Sequence, residues 1–420
     1  MRTATIVPRA TATLLLLSSV AVACGSDDAA TTGARGDGPD GGPLSTIDGG
    51  TASDAARTGD GAIAPGLDGA ASASAASKLA QRLRHKASFM VGMGNDLAND
   101  HSQDGAYTLG TTLDLHYAYL VGLGGSGGWP DWNSGGTFVN ILADSAAAKG
   151  VTPMYTLYQM AAQGDGNIAV VTNDAYMSAY WSGAKLLFQR LGVFGKPAVV
   201  HLEPDFWGYA QQKSPDAKSP VHIAAHAPDC AGVTEDFAGM GHCLLILSRK
   251  YAPQAAVGFH ASVWGGDVAG VVAFLKAIGA EQSDFIATDA LDRDAGCFEA
   301  HVDPNCQRGG SFYLDETNQT SPNYREHFAW VKQIHDGLSL PVMWWQVPFG
   351  VPSATPGGTA GHYRDNHVHY FFEHVGELVA AGGVGAVFGT GAGNQTYITS
   401  DGDQFKNAVT KYLANPTPLP

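Results

Sequence analysis

The stretch Val199-Val200-His201-Leu202-Glu203-Pro204-Asp205 carries the densest chemistry in the chain. Side chains of an extended strand alternate between faces, so His201, Glu203 and Asp205 share one side while Val200 and Leu202 share the other. Pro204 has no N–H to give to a ladder and should end the strand, leaving Glu203 at its rim. A carboxyl at a strand rim, partly withdrawn from water, holds its proton more firmly than a free one and suits general acid work. A second run, Ile286-Ala287-Thr288-Asp289, ends the same way, with Asp289 at the rim. A third places Asp114 and His116 two residues apart on one strand.

These groups meet only if the strands carrying them form one sheet. Strand patterns fall at 88–92, 113–119, 152–158, 198–203, 255–260, 284–289, 341–347 and 384–388, and helical patterns at 136–149, 174–191, 234–251, 267–278, 323–336, 365–380 and 403–413. Short buried strands alternating with helices predict a parallel sheet, and eight of them predict an α/β fold of the single (β/α)8 (TIM) barrel kind. Only residues 95–110 lack a helical period where a first crossover helix should lie. Segments leading out of helices are short, whereas those leaving strands, such as 204–233, 290–322 and 348–364, are long. In a barrel the long βα loops gather at the C-terminal face, where active sites sit.

Within that frame Asp114, His116, His201, Glu203 and Asp289 come from even-numbered strands and are expected to converge inside. Strands four and six are separated by one strand, so at roughly 4.8 Å per strand their rim acids would stand about 5–10 Å apart. That bracket suits the paired carboxylates of glycosidic bond cleavage, with Glu203 as general acid, Asp289 as base or nucleophile, and Asp205 or Asp114 as substitutes. Tyr158, Trp207, Trp264 and Trp345 lie in or just after strands, where flat rings can stack on sugar rings; His116, His201, His260, Gln346 and Arg364 can take hydroxyls or orient carboxylates. An alternative use of His116, His201, His260 and Asp289 is a metal-dependent hydrolase or deacetylase site. A further alternative is a glycan-binding protein without turnover.

The rest of the chain sets the context. Arg2 and Arg9 precede an apolar run ending Val20-Ala21-Val22-Ala23-Cys24-Gly25, which reads as a signal peptide over 1–23 followed by a cysteine suited to acylation. Residues 24–77, rich in Gly, Ala, Ser, Thr and Asp and free of aromatics, read as a flexible lipid-anchored linker, with the catalytic barrel over 78–420. Export permits disulfides, and the sequence-local pairing is Cys230–Cys243 with Cys297–Cys306. A formal charge of −15 argues against nucleic acid as a partner. The dinucleotide-like Gly122-x-Gly124-x-x-Gly127 and the elbow-like Gly124-x-Ser126-x-Gly128 run into Trp129-Pro130-Asp131 instead of the helix they require, and no Gly-Lys-Ser/Thr phosphate loop occurs, so no cofactor is implied; a monomer is expected.

The rim Glu203, the barrel order and the aromatic lining resemble the (β/α)8 glycoside hydrolases over residues 88–414. The resemblance implies a polysaccharide or oligosaccharide substrate outside the cell or in its envelope. It does not transfer a named family's mechanism: strand four has Leu202-Glu203 where the largest barrel clan has Asn-Glu, and strand seven has Gln346 where that clan has its nucleophile.

Overall fold

The computed structural model describes residues 73–94, 106–107, 109–290, 313–349, 367–389, 398 and 401–420. Eight strands, β1 (Met90–Gly94), β2 (Leu115–Val121), β3 (Thr152–Tyr158), β4 (Ala198–Leu202), β5 (Ala255–His260), β6 (Phe285–Asp289), β7 (Val342–Val347) and β8 (Gly383–Phe388), pair in chain order, all parallel. β8 returns to β1, with Met90 opposite Gly385, and closes the barrel. The chain is a (β/α)8 barrel. Its helices are α1 (Ala75–Arg84), α2 (Trp129–Trp132), α3 (Phe138–Ala148), α4 (Asp174–Phe194), α5 (Phe206–Lys213), α6 (Phe237–Tyr251), α7 (Val268–Ala277), α8 (Tyr324–Leu338), α9 (His367–Glu373), α10 (Val375–Ala380) and α11 (Gln404–Leu413). The helical pattern at 365–380 is thus two helices, broken at His374.

Ring contacts show which side of each strand is interior. The Trp345 ring lies 4.9 Å from His201, 5.9 Å from His260, 5.6 Å from Tyr119 and 6.4 Å from Tyr117. All five therefore point inward. Trp344, one residue earlier, packs outward on Phe328 and Phe371 of the helical layer and donates its indole N–H to His327. Helices cover the strands from outside and side chains fill them from inside, which explains why the strands read as apolar runs with little alternation.

The parity of β2 differs from the sequence expectation. Tyr117 and Tyr119 are its inward residues, so His116 faces the helices, where the Tyr107 hydroxyl meets its Nδ1 at 2.7 Å. Burial pushes that imidazole down to about 4. Asp114 lies just ahead of β2, at the N-terminal end of the barrel. Its carboxylate pairs with Arg84 at 3.2 Å and Lys86 at 3.4 Å and accepts the Val91 N–H at 3.1 Å. Neither residue reaches the C-terminal face, and Asp114 is corrected from candidate catalyst to structural counter-ion.

Its partner helix α1 was not anticipated. Ser74 caps it by accepting the Ser77 N–H, and Ala76, Leu79, Ala80 and Leu83 form its buried stripe. The folded unit thus begins before residue 78. α1 closes the lower end of the barrel: Arg82 pairs with Asp284 at 2.8 Å, Arg84 with Asp114, and the Thr152 hydroxyl donates to the Leu83 carbonyl. The Ser74 N–H donates to the Pro420 carbonyl at 2.9 Å, so the two ends of the domain meet there. A disulfide between Cys230 and Cys243 (S–S 2.06 Å) ties the β4–α6 loop to the middle of α6. Cys24, Cys297, Cys306 and Arg364 lie outside the described residues.

Replacing Asp114 by Ala strands the mostly buried Arg84 guanidinium and should cost about 3 kcal/mol. Replacing the half-exposed Lys86 by Ala should cost less than about 1 kcal/mol. Urea denaturation of the two variants checks the contrast; equal losses would refute the assignment.

Candidate active site

At the C-terminal face the interior is layered. Trp345, His201 and His260, all nearly fully buried, form a floor. The His201 Nε2 and His260 Nδ1 atoms share a hydrogen bond of 3.1 Å, and the His260 Nε2 lies 3.8 Å from Asp289. A line of groups therefore runs from the barrel axis to the rim of β6. Desolvation, and secondarily the neighbouring His260, drive the His201 imidazole far below its ordinary value, so it stays neutral. The interior contacts place His201, His260 and Trp345 inside the barrel, with Asp289 beside His260.

Glu203 departs from its expected place. It follows β4 with a φ of 44°, a left-handed conformation that a non-glycine residue adopts only when its surroundings enforce it. Its side chain is completely buried. One carboxyl oxygen accepts the Met160 N–H at 3.0 Å and the other the Gln159 N–H at 3.3 Å, with the Tyr180 phenol of α4 close by. Desolvation outweighs these donors and pushes the carboxyl up to about 8. Glu203 therefore sits under the β3–α4 loop, shut off from solvent, and fastens that loop. The Tyr176 hydroxyl completes the fastening by donating to the Gln159 carbonyl at 2.6 Å, with the Met160 carbonyl 3.1 Å away, and the Gln159 amide reaches the Gly122 carbonyl.

The loop so fastened delivers a carboxylate that sequence reasoning missed. The Tyr158 hydroxyl, at the end of β3, lies 2.7 Å from Asp165 and 2.9 Å from Asp205. Asp205 has φ 51° and ψ −49°, the middle of a strained γ-turn closed by the Phe206 N–H on the Pro204 carbonyl. Asp165 lies between Gly164 and Gly166, both at positive φ, and so reads in sequence as an ordinary turn residue. A phenol has one proton, so it can donate to only one carboxylate at a time in a two-centre bond. The one phenol thus links two carboxylates at the end of β3.

The aromatic candidates divide. Trp207 is core: its N–H donates to the Leu202 carbonyl and its ring packs on Phe206 and Phe259. Trp345 is the floor and offers no open face. Trp264 is 39% exposed and packs on Tyr209 at 4.6 Å, and Tyr209 crosses over Gly166 beside Asp165. That pair forms a ring platform at the rim next to the acids. Gln346, with φ 51°, sits in the irregularity of β7 pairing between Trp344 and Val347, again at the C-terminal end. The four-residue metal set is not assembled, because His116 faces the helices.

No family model matches the chain, and no curated protein matches it. Among solved structures it is similar to a hyperthermophilic endo-β-1,4-glucanase (10% identity, 79% of this chain and 99% of that one, TM-score 0.46) and to a GH26 β-mannanase from Bacteroides ovatus (8%, 81% and 92%, TM-score 0.43). It is also similar to a D-psicose 3-epimerase from Clostridium cellulolyticum (10%, 78% and 97%, TM-score 0.37). Likeness at this level assigns no residue a role.

The Glu203 assignment has a pH signature. The folded state keeps a proton that the unfolded chain releases near 4.5, so the contribution is full below about 4.5, is eroded as pH rises, and is exhausted above about 8. In urea melts from pH 4 to 9, Glu203→Gln should lack this decline and gain on the wild type as pH rises. Parallel curves for the two proteins would contradict the assignment.

Proposed function

We propose that the protein is a glycoside hydrolase acting on an extracellular or cell-envelope polysaccharide, with its acid at the Asp165–Tyr158–Asp205 trio. The observation that carries this reading is the single phenol bridging two carboxylates at the C-terminal face. Glycosidic cleavage needs one carboxyl that gives a proton to the leaving oxygen and a carboxylate that supports the sugar centre or activates water. The trio supplies the first. Asp289 supplies the second, from β6, two strands around the barrel from β4. The platform of Trp264 and Tyr209 stacks a sugar ring beside the acids, and Gln346 takes a hydroxyl. His260 orients Asp289. Glu203, the acid that the strand pattern favoured, acts through the loop it holds and is a positioning residue.

In the same reading the chain is exported, acylated at Cys24 and held to an envelope membrane by residues 24–77, acting as a monomer. Metabolic labelling with a fatty acid, lost in Cys24→Ala, tests the anchor.

Purified protein screened on a panel of polysaccharides should release reducing ends from at least one. On that substrate Asp205→Asn and Asp165→Asn should each lower kcat by about 10²–10⁴-fold, the usual weight of a general acid or base. Tyr158→Phe should lower it less and shift the pH profile. Retained turnover in the Asp165→Asn/Asp205→Asn double variant would overturn the assignment. Glycan binding with no turnover by the wild type would favour the non-catalytic reading.

A further inference from the structure

Outside the barrel mouth, three metal-ligating side chains converge at the start of α4. Asp174 is the first residue of that helix, and His222 and His226 belong to the long β4–α6 loop. The His222 Nδ1 lies 2.9 Å and the His226 Nε2 3.0 Å from the same oxygen, Asp174 Oδ1. The three donor atoms all fall within 4.8 Å of one another. Among the described residues, no other His, Cys, Asp or Glu group gathers three ligand atoms this closely.

We propose that Asp174, His222 and His226 form a binding site for a divalent transition metal of the zinc type, which pins the β4–α6 loop to α4.

Two features set this arrangement apart from a simple loop tether. Both imidazoles aim at one carboxylate oxygen, although a side chain that is 77% exposed offers water a second. Two donors crowding one acceptor is the geometry expected around a shared centre. Zinc–ligand bonds of about 2.0–2.2 Å place tetrahedral neighbours about 3.3 Å apart, so each imidazole nitrogen needs to move from the Asp174 oxygen by only a few tenths of an ångström.

The backbone that presents the histidines is also built without their help. The His222 N–H donates to the Val171 carbonyl, and the Trp181 indole donates to the His222 carbonyl. Glu235 takes the N–H groups of Ile223 and Ala224, one on each carboxylate oxygen, at 2.7 Å. The His226 N–H closes a turn on the Ile223 carbonyl. The ligands are therefore held ready, and little ordering cost falls on metal binding. On binding, each neutral imidazole turns a lone pair to the ion and carries its proton on the other ring nitrogen. The exposed side of the carboxylate leaves the remaining coordination positions to water.

The test uses the purified full chain, stripped with chelator and dialysed. Titration with Zn²⁺ should show one tight site per chain and a raised melting temperature. Co²⁺ should give the visible bands of nitrogen and oxygen ligation, without thiolate charge-transfer absorption. His222→Ala and His226→Ala should each weaken binding by at least about 10–100-fold, the loss that even outer-sphere partners can cause. Asp174→Asn keeps the helix start intact and should also weaken it, which guards against a misfolded histidine variant. Unchanged stoichiometry and affinity in the His222→Ala/His226→Ala double variant would overturn the proposal. So would a thiolate spectrum, or no Zn²⁺ uptake below millimolar concentration.

Discussion

The indole of Trp345 occupies the axis of the barrel, and the upper half of the molecule is arranged around it. Its ring meets Tyr117 and Tyr119 from β2, His201 from β4 and His260 from β5, with 1% of its surface exposed. A side chain of this size removes water from the barrel centre and contributes several kcal/mol through apolar burial alone, about 25 cal/mol per Å². It also divides the interior. Groups below it are core; groups level with its upper edge or above it are the rim. Two successive tryptophans on β7 satisfy both layers at once, Trp345 inward and Trp344 into the helices. The pairing of β7 with β8 breaks immediately afterwards, where Gln346 adopts a left-handed backbone.

Above that floor the β3–α4 loop matters most, because a buried neutral carboxyl anchors it. Two backbone N–H groups and a nearby phenol receive Glu203, and burial there makes an ionised carboxylate costly. The strain at Glu203 and Asp205, only two residues apart, indicates that β4 is forced out of its regular course so that one acid can secure the loop and the next can face it. Strain of this kind persists when the surroundings over-determine it, and Tyr158, Tyr176 and Gln159 supply that constraint.

The strand positions and the closed parallel order were legible in the residues, because period and turn chemistry are local. Direction was harder to read. On β2 every residue from Leu115 to Ala118 is buried, so there is no polar contrast to tell the His116 side from the Tyr117 side. Glu203 was legible as a rim acid but not as a loop fastener, since nothing in its type announces a positive φ. Asp165 carried no signal beyond its flanking glycines, and its role appears only when Tyr158 and Asp205 come beside it. Helix α1 could have been found: Ser74 followed by Ala76, Leu79, Ala80 and Leu83 is a capped stripe at helical spacing.

The meeting of Ser74 with Pro420 beneath the barrel fixes a polarity for the whole particle. Both ends of the folded domain leave from the sealed pole, where Arg82 and Arg84 are riveted to Asp284 and Asp114. If the proposed anchor at Cys24 holds the chain to a membrane, the pull falls on these ion pairs at the base, and the open pole with its rim acids is the end free to turn away.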